Sequence, residues 1–280
     1  MKKKKKTFLN CVYIGLIFTG LFVNGQNHQL VKIWETDTII AVPESVLPYK
    51  GKLYVSLIDG NSWDDDGKGG VGILSVDGKK FNGNWITGLS APKGMGIIGN
   101  KMYVADITRV VVIDMKKGKV IKTIPVPASE NLNDVTVGKG VVYVSDSKAG
   151  KIWKITNDKP EIYVNDAPRV NGLKFYNNRL YYGEGKSFKK IDVERKITTI
   201  AQVTENIDGI EPLANGDFIL TSWVGYIYYV SKQGGVQTLL ETHQEKINTA
   251  DIGIDIRNNI VYVPTFFGKK IIAFRVEAIK

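Results

Sequence analysis

The chain has 280 residues, 38 of them basic and 28 acidic, with two histidines and a single cysteine. Five of the lysines and none of the acids fall in residues 1–25, so the remainder carries a net charge of only +5. That charge, with no basic stripe interleaved with aromatics, excludes nucleic acid as the natural partner. Cys11 as the sole cysteine leaves the remainder with neither disulfides nor a thiol nucleophile.

The first element is a targeting segment. Residues 2–6 are all lysine, residues 8–23 are mostly apolar, and Val23-Asn24-Gly25 precedes Gln26 as a small-residue cleavage site. That order reads as a secretory signal peptide over residues 1–25, which predicts a secreted or periplasmic protein. The apolar run is short for a bilayer core about 30 Å thick, so no stable membrane insertion is expected after cleavage. Cys11 stands at the start of the run, not at its end where a lipid-modified cysteine belongs. Residues 26–280 are then expected to form one all-β domain that needs no disulfides to build its core.

Residues 29–34 alternate apolar and polar, which predicts a strand, and a repeat follows. An apolar, β-rich pair recurs at Tyr54-Val55, Tyr103-Val104, Tyr143-Val144, Tyr181-Tyr182, Phe218-Ile219 and Tyr262-Val263, at intervals of 49, 40, 38, 37 and 44 residues. Turn clusters such as Lys50-Gly51-Lys52, Asn177-Asn178-Arg179 and Asn215-Gly216-Asp217 precede the pairs. Alternating strands such as residues 151–155 and 226–230 follow them, and several copies add a fourth strand, as at residues 197–203. Four strands in roughly 40 residues, repeated six times, predict a six-bladed β-propeller with four-stranded blades. The last repeat ends after three strands, so the strand at residues 29–34 is expected to complete it, closing the ring and hiding sheet edges.

Ten residues before each pair stand Glu44, Lys93, Asn133, Asn171, Asp208 and Ile252. These are expected to be equivalent points on the innermost strands, facing one another around the central channel. Two carboxylates, two carboxamides and a lysine are costly to bury unless they are paired, hydrogen-bonded or on a metal. Oxygen donors from Glu44, Asn171 and Asp208 suit one hard divalent cation. Calcium fits best, magnesium and manganese also accept such donors, and zinc is less natural without His or Cys. The alternative is a metal-free polar ring in which Lys93 bridges Glu44 and Asp208. Asp251 joins the pocket if the last blade carries a one-residue slip.

The segments Pro43-Glu44-Ser45, Asn133-Asp134, Val170-Asn171-Gly172-Leu173 and Ile207-Asp208-Gly209 resemble the metal-site motifs of the senescence-marker-protein/gluconolactonase family of six-bladed propellers, over about residues 29–276. The resemblance implies that Glu44, Asn171 and Asp208 bind the cation and that Asn133 contacts ligand or a metal-bound water. Asn131 stands where the family's sugar-lactone hydrolases carry Arg, a departure that bears on sugar-acid specificity.

Other signals carry less chemistry. Gly67, Gly69 and Gly72 satisfy a dinucleotide-type glycine spacing but precede a strand rather than a helix, so they read as a flexible loop. Asp64-Asp65-Asp66 reads as a solvated acidic loop, since an EF-hand would need an acid where Ser75 stands. Trp153, Trp223, Tyr226 and Tyr228-Tyr229 read as blade packing, and His243 is the sole candidate base for a serine triad, an unconvincing one. Two functions are therefore expected in order. The first is a divalent-metal-dependent hydrolase of a lactone or related ester. There Asp208, Asn133 and Lys93 act on a small-molecule substrate. The second is a non-catalytic secreted propeller binding a ligand or protein, with a structural metal or a metal-free polar channel.

Overall fold

Apolar residues recur at every second position of the strands and bury themselves between neighbouring sheets. The computed structural model describes residues 27–37 and 39–279, and the leader expected over residues 1–25 lies outside them. β1 (His28–Glu35) comes first. Blade 1 holds β2 (Pro43–Tyr49), β3 (Lys52–Leu57), β4 (Gly69–Ser75) and β5 (Phe81–Leu89), and blade 2 holds β6 (Pro92–Ile98), β7 (Lys101–Asp106), β8 (Arg109–Asp114) and β9 (Lys119–Pro125). Blade 3 holds β10 (Leu132–Gly138), β11 (Val141–Asp146), β12 (Lys151–Thr156) and β13 (Lys159–Val164). Blade 4 holds β14 (Val170–Tyr176), β15 (Arg179–Glu184), β16 (Ser187–Ile191) and β17 (Ile197–Gln202). Blade 5 holds β18 (Ile210–Pro212), β19 (Phe218–Ser222), β20 (Tyr226–Val230) and β21 (Val236–Glu241), and blade 6 holds β22 (Gly253–Asp255), β23 (Ile260–Pro264) and β24 (Ile271–Ala278).

Each blade is an antiparallel meander, and β1 pairs with β24 as the fourth strand of blade 6. The fold is a six-bladed β-propeller closed by its N-terminal strand, as the repeat predicts. The closure is fastened beyond the sheet. The Gln237 side chain accepts from His28 N at 2.9 Å and donates to His28 O at 2.8 Å, while the His28 ring stacks 3.8 Å from Tyr229. The core is divided among the blade interfaces rather than collected in one centre. Leu132, Val144 and Trp153 of blade 3, for example, pack on Ala105, Val110 and Val112 of blade 2.

The glycine-rich segment corrects one expectation. Gly67 lies in the β3–β4 connection, but Gly69 and Gly72, with Gly70 between them, lie within β4 rather than in a flexible loop. A side chain at Gly70 would sit 2.2 Å from the Ile86 carbonyl oxygen and one at Gly72 2.7 Å from the Phe81 ring, so these two glycines admit the close approach of β5. The acidic run is held by its neighbours: Asp65 pairs with Arg109, and Asp66 pairs with Lys68.

Candidate functional site

The innermost strands share a local irregularity that aims the ring residues. In β2, Pro43 pairs with Leu57 and Val46 with Val55, so Glu44 and Ser45 together oppose the single residue Ser56. The same bulge falls on Lys93-Gly94, Asn133-Asp134 and Asn171-Gly172. A bulge bends its strand and re-aims the extra side chain, which here turns each first member toward the channel. The displaced backbone N–H groups of Ser45, Asp134 and Gly209 are recovered by hydroxyls on the next strand, Ser56, Ser145 and Thr221, at 2.9, 2.9 and 2.8 Å. Gly172 shows how tightly neighbouring blades meet: a side chain there would sit 1.9 Å from the Asp208 carbonyl oxygen. That contact brings Asn171 and Asp208 together, with Asn171 Nδ2 donating to Asp208 Oδ1 at 2.7 Å.

Glu44, Lys93, Asn133, Asn171 and Asp208 all line one cavity of about 320 Å³ at the channel mouth. Five of the six expected ring positions therefore converge. The sixth does not. Asp251 forms a parallel bridge with Ser45 and donates its N–H to Glu44 O at 3.0 Å, so Ala250 stands level with Glu44. The slip in blade 6 is two residues rather than one. Its turn over residues 256–259 is longer than the two-residue turn at 50–51. Ile252 and Asp251 line instead the cavity at the other end of the channel. Asp251 accepts a 2.5 Å hydrogen bond from Ser45 Oγ there.

The ring is electrostatically tense. Glu44, Lys93 and Asp208 are all at least 95% buried. Glu44 Oε2 is buried without a hydrogen-bond partner. Burial pushes the Glu44 carboxyl up to about 8, against the pull of Lys93 and with the push of Asp208 and Asp134. Burial likewise raises Asp208 to about 7, opposed by Lys93. The Lys93 ammonium is pushed down by burial and held up by Glu44 and Asp208. Its Nζ lies 4.2 Å from the centroid of the Trp63 ring, an ammonium over an aromatic face rather than a bridge between the two acids. Asn133 Nδ2 donates to Ser147 Oγ at 3.1 Å, leaving its carbonyl for the cavity.

Among the described residues no three or more His, Cys, Asp or Glu are grouped to hold a metal. The donor set therefore has two acids, Glu44 and Asp208, and depends on the Asn171 carboxamide for its third oxygen. The unpartnered Glu44 Oε2 fits a cation, and the buried Lys93 competes with one.

Sequence reasoning missed the walls of the cavity. Trp63, Trp223 and Phe266 line it. Trp223, expected as blade packing, instead stands in the β19–β20 turn, 39% exposed. A signal for Trp63 was present: the 49-residue first interval holds an extra-long β3–β4 connection beside the acidic run. Trp153, Tyr228 and Tyr229 are buried within the blades as expected. His243 stacks on Tyr226 at 5.2 Å on the outer part of blade 5 and does not line the cavity.

No family model matches the chain, and no curated protein matches it. Among solved structures it is similar to a catalytically inactive histidine-to-alanine variant of virginiamycin B lyase from Staphylococcus aureus with quinupristin. The TM-score is 0.63 at 16% identity, covering 90% of this chain and 99% of that one. This likeness carries the fold alone.

Proposed function

We propose that the cavity at the channel mouth is the active site of a divalent-cation-dependent hydrolase of a lactone or related ester. The supporting observation is the convergence of five polar side chains from five blades, with a buried Glu44 oxygen that lacks a partner. A buried carboxylate oxygen without a partner, lining a cavity with four other polar side chains of the ring, points to a ligand. Glu44, Asp208 and Asn171 would hold the cation, best calcium, with magnesium or manganese acceptable. The cation, when bound, polarises the scissile carbonyl and offsets the negative charge that develops on its oxygen.

The side chains divide the remaining work. Asp208 Oδ1 is engaged by Asn171, which leaves Oδ2 to take the proton of an attacking water. Asn133 and Lys93 orient the substrate from blades 3 and 2. The four segments around Glu44, Asn133, Asn171 and Asp208 support membership of the senescence-marker-protein/gluconolactonase family. Asn131 does not line the cavity and is held by Asp146 through its backbone N–H at 3.0 Å, so a bidentate clamp for a sugar acid is not part of the proposal. The similar lyase is inactivated by loss of a histidine, and no histidine lines this cavity, which gives no support for carrying that reaction over. The leader reading places this activity outside the cytoplasm.

A second reading is favoured by Lys93. A buried ammonium among these carboxylates can itself supply the neutralising charge, leaving a propeller that binds a ligand or protein without catalysis. Calorimetric titration of calcium, magnesium and manganese into the chelator-treated protein, beside Asp208→Ala, separates the two. One-to-one binding lost in the variant, with cation-dependent turnover in a lactone and ester screen, supports the hydrolase. A folded protein that binds none of the three cations overturns it in favour of the binding propeller.

A further inference from the structure

The floor of the cavity is polar, but its walls are aromatic and come from three blades. Trp63 stands in the β3–β4 connection, Trp223 in the β19–β20 turn, and Phe266 in the 3-10 turn between β23 and β24. Phe266 packs into a small apolar cluster with Ile58, Ala91 and Ala250, whereas Trp63 and the 39% exposed Trp223 belong to no such cluster. Phe266 adopts φ +47°, a left-handed conformation that bulky residues avoid and that clusters at ligand sites. Val42, a β-branched residue preceding Pro43 and Glu44, is held at φ +42° beside it. Both residues pack in the same small apolar cluster, and of the two Phe266 lines the cavity.

The rings are fixed in place rather than collapsed. Phe266 is buried and meets Trp223 edge-on at 5.5 Å, and Phe267 meets Trp223 at 5.9 Å. The Trp223 carbonyl accepts a 2.9 Å hydrogen bond from Asn248 Nδ2. Trp63 packs on Lys93. Each indole is therefore braced from a different side while both line the same cavity.

We infer that this wall selects the substrate: an uncharged lactone or ester whose non-reacting part is a planar aromatic or broad apolar group, seated against Trp223 with its carbonyl over the polar floor. The inference rests on the hydrolase reading of the same cavity. No arginine lines the cavity to clamp an acidic substrate in two-pronged fashion. A preset aromatic face favours a planar apolar partner.

The test compares dihydrocoumarin with γ-butyrolactone for the wild type, Trp223→Ala and Trp223→Phe, all with calcium. Calorimetry with 3,4-dihydro-2-quinolinone, the lactam counterpart of dihydrocoumarin, reads binding without turnover. The wild type is expected to favour dihydrocoumarin in kcat/KM by at least about tenfold. In Trp223→Ala that ratio falls toward one, mainly through KM, and lactam affinity falls by about the same factor. Trp223→Phe restores both, which separates loss of the face from loss of the fold. Equal use of both lactones by the wild type, or equal losses on both in Trp223→Ala, overturns the inference while the hydrolase reading stands. Lactam binding that needs Trp223, without hydrolysis of either lactone, sinks the hydrolase reading and keeps the aromatic subsite. Neither binding nor hydrolysis overturns both.

Discussion

The two ends of the central channel are built from the same inner strands and both bury charge, yet they treat it differently. At the far end, Lys174 Nζ reaches the two oxygens of the buried Glu211 at 2.7 and 2.6 Å. Asp134 there accepts from Val135 N at 2.6 Å and Leu173 N at 2.5 Å, and Thr136 Oγ1 accepts from Phe175 N at 2.9 Å. These groups tie one blade to the next. At the near end, Glu44 Oε2 has no partner and Lys93 rests on an indole instead of a carboxylate. Burial costs the same at either end, so Glu211, with its counter-charge in contact, reads as architecture, and Glu44, with no ammonium in contact, reads as part of a site awaiting its ligand.

Substitutions at the two ends should therefore fail in different ways. Asp208→Ala is expected to remove cation binding and lower lactone hydrolysis by about 10³-fold while the protein stays folded, as calorimetry and circular dichroism will show. Lys174→Met should do the reverse. It leaves Glu211 buried without its counter-charge and costs about 3 kcal/mol in urea unfolding, with cation affinity kept. A loss of cation binding in Lys174→Met would erase the contrast.

The pH dependence sharpens it further. In chelator, the Glu44 and Asp208 carboxyls, at about 8 and about 7, stand above their ordinary values of 4.5 and 3.8. The fold thus favours their protonated forms. Their contribution to stability is complete below about pH 4 and is lost as pH rises through 7 to 8. The melting temperature in chelator should fall over that range, calcium should reverse the fall, and Glu44→Gln should flatten it. Lys93→Met removes a positive charge from the floor and should tighten calcium binding by about tenfold, while weaker binding would make Lys93 part of the cation site's support. The smallest effect is expected at Ser56→Ala, about 1 kcal/mol, because only the Ser45 N–H at the bulge loses its partner.

Most of the architecture was legible along the chain. Strand pairs at near-regular intervals, turn clusters before them and a spare first strand specify six blades and their closure, because each blade repeats one hydrophobic pattern. The ten-residue offset located five of six ring positions, since the hairpin joining the first two strands keeps nearly the same length in blades 1 to 5. It failed in blade 6, where a longer turn shifts Ala250 into the place expected for Ile252. Turn length follows local chemistry, so a fixed offset does not track it from blade to blade.

Residue identity and spacing thus determined the propeller, its closing strand and the polar character of the channel mouth. The tertiary structure decided which polar groups find partners: Lys174 meets Glu211, whereas Lys93 meets Trp63 rather than Glu44 or Asp208. It also decided that Trp63, Trp223 and Phe266, far apart in the chain and on connections outside the repeat, share one wall. The physical reason is the same in each case. A repeat is set by local periodicity, whereas pairing and cavity walls depend on where separate blades place side chains across a few ångströms of space.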